Sequence, residues 1–225
     1  MAESALMDND VVLKTCCYGL VDEMLGCLSG KAWTLHVLGV VRYVLVRAIA
    51  KRKNISDKDG AANRLTNLLG RVSLIEPNDK ELELAAEFEQ TAQSLGVELD
   101  GGESQLLAVL IRRSASLLLT GDKRAIRAIE PILQESTLRP YVERRIACLE
   151  QVMTAVVARH GAEAIHERVC SERAVDISLA VCFSCASGAY DLQSILEGLA
   201  SYIRDLRRDA QWSLVVSDDL SAVIP

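Results

Sequence analysis

The sequence predicts an α/β protein: a parallel sheet covered by helices on both faces, followed by an all-helical extension. Three observations carry this. Short apolar runs recur, and two of them end in an acidic turn, at Leu6-Met7 before Asp8 and at Leu117-Leu118-Leu119-Thr120 before Gly121-Asp122. The second run is continuously apolar rather than alternating, which is what a parallel strand buried on both faces needs. Helical segments separate the strand-like runs, and from Tyr141 onward helical periodicity takes over.

Taken in order, the first strand ends in Asp8-Asn9-Asp10. Residues 11–28 read as one helix, with Leu13, Cys17, Leu20, Val21, Met24 and Leu28 at helical spacing, and Gly30 punctuates. Residues 34–51 read as a second helix, apolar nearly all round and therefore buried. A third spans 57–69 and stops at Gly70. Residues 72–75 read as a strand closed by Pro77. Asn78 and Glu81 form a capping box for a helix that ends before Gly96, and 97–99 read as a short extended piece. Asp100-Gly101-Gly102-Glu103 opens a helix with Leu106, Leu107, Leu110 and Ile111 on one face. The strand at 116–120 follows, then a helix over 123–130 that stops before Pro131. Residues 135–140 mark the boundary, giving a first domain over 1–137 and an extension over 138–225 with helices at 141–159, 172–184 and 192–208. The apolar piece 212–216 fits either a strand or a cap on the helices.

The chain has 225 residues, room for a medium domain plus a small one, and half of them are hydrophobic, ample for a core. Aromatics make up only 4 %, which argues against stacking on aromatic platforms as the main way of holding nucleic acid. A net charge of −6 argues against a dedicated DNA-binding module. It is compatible with an enzyme whose metal-binding carboxylates make the site acidic. The N-terminal MAESALMDND lacks the basic start and apolar run of a signal peptide. The apolar stretch 33–50 is interrupted by His36, Arg42 and Arg47 and reads as a core helix rather than a membrane span. Seven cysteines, an odd number at irregular spacing, read as reduced, buried thiols of a cytoplasmic protein. Cys182-x-x-Cys185 has no second pair to complete a zinc set.

Asp8, Glu103 and Asp122 all sit at turns beside apolar segments. In an open parallel sheet, residues just beyond the carboxyl ends of the strands meet in one crevice. Three crowded carboxylates repel unless a divalent cation neutralises them, and Mg²⁺ or Mn²⁺ suits oxygen ligands. Such an ion can activate water at a phosphodiester. Each acid also has a local reading: Asp100 and Glu103 as a capping box, Asp122 as an N-cap, Asp8 as a turn residue. Arg112, Arg113, Arg124 and Arg127 flank the last two acidic turns, where they fit phosphate contacts or solvated helix faces. His36 reads as a satisfied core residue and has no ligand spacing to His160 or His166. Cys16 has no His or Asp partner at readable spacing, which argues against a thiol nucleophile.

On these residues the chain resembles the PIN-domain nucleases. The resemblance covers residues 6–132 and rests on ALMDNDVVL at the first strand and on GVELDGGESQLLAVLIRRSASLLLTGDKRAI, whose GES form is similar to the toxin-related branch. It implies a Rossmann-like PIN domain and a Mg²⁺- or Mn²⁺-dependent endoribonuclease. Asp8, Glu103 and Asp122 would be the catalytic, metal-holding acids, and Asp10 would join them through a metal-bound water. Thr120 is the hydroxyl beside the acids, and Thr120, Arg112 and Arg124 would position substrate. RNA is the implied substrate, with a protein partner or a homodimer formed through the C-terminal helices. The chain departs from the family at its early Glu: no acid lies between Ala32 and Lys53, Arg42 stands at the matching place, and it is expected to face the acids. Asp10, Asp22 or Glu23 would have to supply the fourth acid. That departure leaves a second reading, a catalytically degenerate PIN-like binding or regulatory module. A third, a haloacid-dehalogenase-like phosphatase, would use Asp8-x-Asp10 with Asp122 or Asp218-Asp219 as the late acids, but no strand-end Lys motif accompanies it.

Overall fold

A computed structural model describes residues 4–28, 33–188, 191–218 and 220. Five parallel strands form one sheet: β1 (Ser4–Met7), β2 (Thr34–Leu38), β3 (Ser73–Ile75), β4 (Leu117–Thr120) and β5 (Ile146–Cys148), in the order β3-β2-β1-β4-β5. The helices are α1 (Asn9–Tyr18), α2 (Val21–Leu28), α3 (Val41–Lys51), α4 (Lys58–Leu69), α5 (Asp79–Leu95), α6 (Gly101–Arg112) and α7 (Lys123–Leu133), followed by α8 (Leu149–His160), α9 (Ala162–Ser171), α10 (Ile177–Cys182) and α11 (Leu192–Asp209).

The pleat of the strands sorts the core into two layers. Ala5, Met7, Leu117 and Leu119 face one way, toward α1 to α4 and α8 to α10; Leu6 and Leu118 face the other, toward α5 to α7. Both faces are apolar, so the central strands carry no polar alternation, as expected for a covered parallel sheet. Helix α11 contributes to both layers, with Ile195 and Leu199 on one and Ile203 and Leu206 on the other.

Several expected elements are corrected. The helix read over 11–28 is two helices, because Gly19 takes a left-handed backbone (φ +68°) and ends α1. Gly30 lies outside the described residues. The helix read over 34–51 is β2 followed by α3. β2 is half-buried at Thr34 and His36, and α3 is not buried all round: Val41, Leu45 and Ile49 enter the core while Tyr43, Val44 and Val46 are exposed; a short apolar run does not by itself separate strand from helix. No strand forms at 97–99. Helix α7 runs past the expected stop and carries Pro131 inside it.

The stretch after residue 137 is not all helical. A 3₁₀ turn at Arg139–Tyr141 and strand β5 replace the first half of the helix read over 141–159, and β5 pairs with β4. Of the helix read over 172–184 only α10 forms, and α9 precedes it over residues that were not expected to be helical. Residues 212–215 run beside β5, with Ile146 N–H donating to Ser213 O at 3.0 Å and Val215 N–H to Ile146 O at 2.8 Å. Cys170 and Cys185 are joined in a disulfide, which corrects the reading of uniformly reduced thiols; Cys16, Cys17, Cys27, Cys148 and Cys182 are buried and outside this bond. Sequence spacing hid the pair, because the turn after α10 folds back onto the end of α9. Among the described residues no helix is long and apolar enough to cross a membrane.

One buried carboxylate fastens the C-terminal segment to α7. Glu130 Oε1 accepts from Trp212 N–H at 2.7 Å, Ser213 N–H at 2.8 Å and the Ser213 hydroxyl at 3.0 Å. Glu130→Ala leaves these three donors unpaired and is expected to cost about 2–4 kcal/mol, read as a lower urea midpoint. A loss below about 0.5 kcal/mol would show that the segment is held without Glu130.

Candidate metal centre

The strand order places β1 beside β4, and the helices that follow them leave in opposite directions: α1 packs on one face and α7 on the other. Their divergence opens a crevice at the carboxyl ends of the two central strands, the usual place for a ligand in an open parallel sheet. Asp8 follows β1 directly, and Asp122 follows β4 after Gly121.

Asp8 forms the floor. Only 3 % of it is exposed. It caps α1 by accepting from Val11 N–H at 2.8 Å through Oδ1, while Oδ2 accepts from the Thr120 hydroxyl and from Gly121 N–H at 3.1 Å. Burial pushes its carboxyl up to about 7; the neighbouring Asp10 adds to this, the Thr120 and Val11 hydrogen bonds oppose it, and Glu103 adds a smaller push.

The carboxylate oxygens of Asp100, Glu103 and Asp122 all lie within 4.8 Å of one another, a group that includes Asp100 and not the expected Asp8, which feels the charge of Glu103. Glu103 is in the first turn of α6, and its carboxyl is raised by burial and by the charges of Asp100, Asp122 and Asp10, against its own backbone hydrogen bond. Asp100 occupies the N-cap position of α6 but makes no capping hydrogen bond, so its oxygens are free to face the other two acids. The expected box with Glu103 does not form. An all-oxygen donor set of three crowded carboxylates fits Mg²⁺ or Mn²⁺.

Asp122 behaves differently. It is the N-cap of α7, accepting from Arg124 N–H at 2.8 Å and Ala125 N–H at 3.3 Å. Arg124 grips it with Nη2 at 2.9 Å from Oδ2 and reaches Glu98 with Nη1 at 2.6 Å. Burial pushes the Asp122 carboxyl up, but the Arg124 side chain and these backbone donors outweigh it and hold the group below the usual range. Asp122 N–H also donates to Thr120 Oγ1 at 3.1 Å. Thr120 and Arg124 therefore contact the acids themselves, Asp8 and Asp122.

The remaining expected residues are spread more widely. Asp10 lies at the rim, and a Cβ on Gly121 would come within 2.1 Å of its Oδ2; the glycine makes room for the carboxylate. Arg112 is in the last turn of α6, nine residues beyond Glu103 and about 13 Å further along the axis at about 1.5 Å per residue. Arg42 lies in the first turn of α3, exposed, with its guanidinium 5.8 Å from the Tyr43 ring centroid. His36 lies on β2, half-buried, with Nδ1 unpartnered, and burial followed by the charge of Arg113 lowers its pKa; it is not the satisfied helix residue expected. Asp218 pairs with Arg207 at 2.6 Å, and Asp219 lies outside the described residues.

Two contributors escaped the sequence reading. Asp100 was visible as the first acid of Asp-x-x-Glu but was assigned to capping. Lys14, one turn beyond Asp10 in α1, carried the i,i+4 signal of an ion pair, and its Nζ lies 2.5 Å from Asp10 Oδ2.

A carboxyl whose folded pKa exceeds its unfolded value of 3.8 holds its proton more tightly when folded. Asp8 therefore makes stability fall as pH rises from about 4 to about 7, and the loss levels off above that. Asp8→Asn removes this dependence. In metal-free urea titrations, the stability of the variant relative to wild type is expected to rise by about 3 kcal/mol between pH 4.5 and pH 8. Parallel pH profiles would contradict the buried, crowded Asp8.

No family model matches the chain, and no curated protein matches it. Among solved structures it is similar to a chain of VapBC2 from Rickettsia felis bound to a DNA fragment from their promoter, at 14 % identity and a TM-score of 0.42, over 53 % of this chain and 87 % of that one.

Proposed function

We propose that this chain is a PIN-type metal-dependent nuclease that cleaves RNA phosphodiesters. The observation that carries the reading is the gathering of carboxylate oxygens from Asp100, Glu103 and Asp122 within 4.8 Å, beside the buried Asp8 at the carboxyl end of a parallel sheet. The sequence resemblance on residues 6–132 supports it. Glu103, Asp122 and Asp100 would hold Mg²⁺ or Mn²⁺, with Asp8 supplying further negative charge from below. The ion, when bound, would supply Lewis-acid activation of water and charge neutralisation at the phosphate. The protein's part is positional. Thr120 fixes Asp8, Arg124 fixes Asp122, and Gly121 leaves space for Asp10 between them. The same reading assigns the protein to the cytoplasm and gives the C-terminal helices a role in binding a partner or a second copy.

A specific observation favours a second reading, the catalytically degenerate binding module. Arg124 already neutralises Asp122, and the early acid of the family is replaced by Arg42.

Purified protein incubated with single-stranded and structured RNA in Mg²⁺ or Mn²⁺ separates the two. Asp8→Asn and Glu103→Gln are each expected to lower cleavage by at least about 100-fold while circular dichroism stays unchanged, and chelation should match them. Cleavage that survives both chelator and substitution would exclude this mechanism. Saturable RNA binding without cleavage would establish the binding module instead.

A further inference from the structure

The ammonium of Lys14 lies between two carboxylates that belong to distant parts of the chain. Its Nζ is 2.5 Å from Asp10 Oδ2 and 2.6 Å from Asp176 Oδ2. Lys14 is 9 % exposed, so this bridge is shielded from water and salt. Asp176 is itself held in place as the N-cap of α10, accepting from Leu179 N–H at 3.0 Å. At the other end, Asp10 lies against Gly121 and is one of the charges felt by both Asp8 and Glu103. A continuous chain of charge thus runs from α10 through Asp176, Lys14 and Asp10 to the acids.

We propose that Lys14 is a positioning residue through which Asp176, carried by the C-terminal helices, sets the net charge of the acidic site. The inference rests on the reading of that site as one that binds a divalent cation. Lys14 shared between two carboxylates gives the crevice only part of its positive charge. If Asp176 withdraws, the whole ammonium turns to Asp10 and the site becomes less attractive to a cation. If Lys14 is lost, Asp10 is released as an additional negative group.

The test is Mn²⁺ binding to the full chain, followed by the electron paramagnetic resonance signal of free Mn²⁺. Lys14→Gln is expected to tighten binding about three- to tenfold, and Asp176→Asn to weaken it about threefold, from the change of one unit charge close to the ion. Opposite signs alone would also follow from a direct field. The deciding measurement is the double variant: if Asp176 acts through Lys14, Asp176→Asn has no further effect in the Lys14→Gln background. An equal weakening in both backgrounds, or shifts of the same sign for the two single variants, would overturn the proposal while leaving the cation site intact. Should Lys14→Gln fail to fold, Lys14→Arg keeps the charge and must retain wild-type affinity while Asp176→Asn weakens it; an unchanged Asp176→Asn overturns the proposal. No Mn²⁺ binding in any form, wild type included, would overturn the cation reading and this inference together.

Discussion

Asp8 binds the two central strands together twice. Its backbone N–H donates to Leu119 O at 3.0 Å, continuing the β1–β4 ladder, and its carboxylate accepts from the Thr120 hydroxyl and from Gly121 N–H. These contacts close a loop of more than a hundred residues and fix how the ends of β1 and β4 stand relative to each other. They also hold a carboxylate in a place where ionisation is costly. Hydrogen bonds to a charged group contribute about 1.5–3 kcal/mol each, whereas a buried ion loses several kcal/mol of hydration. Desolvation by burial and the neighbouring Asp10 outweigh the hydrogen bonds and hold the Asp8 carboxyl up at about 7. A divalent ion at Asp100, Glu103 and Asp122 would reverse that balance, so the stability of this seam and the chemistry of the site are two aspects of one electrostatic problem.

The C-terminal third is built into the same arrangement. β5 extends the sheet beyond β4, Glu130 ties residues 212–213 to α7, and Asp176 reaches Lys14 beside the acids. Glu150, in the first turn of α8 after β5, pairs with Lys123 at 2.6 Å, so a second ion pair, with a buried carboxylate and a partly exposed ammonium, lies on the strand-end side of the sheet. Its Oε2 has no hydrogen-bond partner, and the pair depends on Lys123, whose ammonium also lies 4.3 Å from the Tyr202 ring centroid on α11. The ends of β1, β4 and β5 therefore each carry an acid whose setting depends on elements elsewhere in the chain.

The parts legible in sequence are those where local chemistry and tertiary role agree. Asp8 and Asp122 end apolar runs and do cap helices, as their side chains alone would dictate, and this same capping places them at the crevice. Asn78 and Glu81 form the capping box that their spacing signals. Legibility failed where a strand is too short for its period to show beside an apolar helix. β2 reads like the helix that follows it, and the three-residue β5 disappears into the apolar pattern of α8. It failed again where one motif had two uses. Asp100 fits a cap, yet its side chain makes no capping bond. The spacing of Asp10 and Lys14 signals only a local i,i+4 pair, and only the fold reveals the second carboxylate, 162 residues away in Asp176. The Cys170–Cys185 bond depends on a chain reversal that no spacing rule encodes.

On the proposed function, the carboxylates of Asp100, Glu103 and Asp122 would hold a divalent cation. Crystals soaked in Mn²⁺, with anomalous differences collected at the manganese edge, test it most directly. One strong peak is expected among the oxygens of Asp100, Glu103 and Asp122, at roughly 2.0–2.3 Å from them. A map with no peak at that place, or with manganese only at exposed surface acids, would rule out a cation site at these three residues.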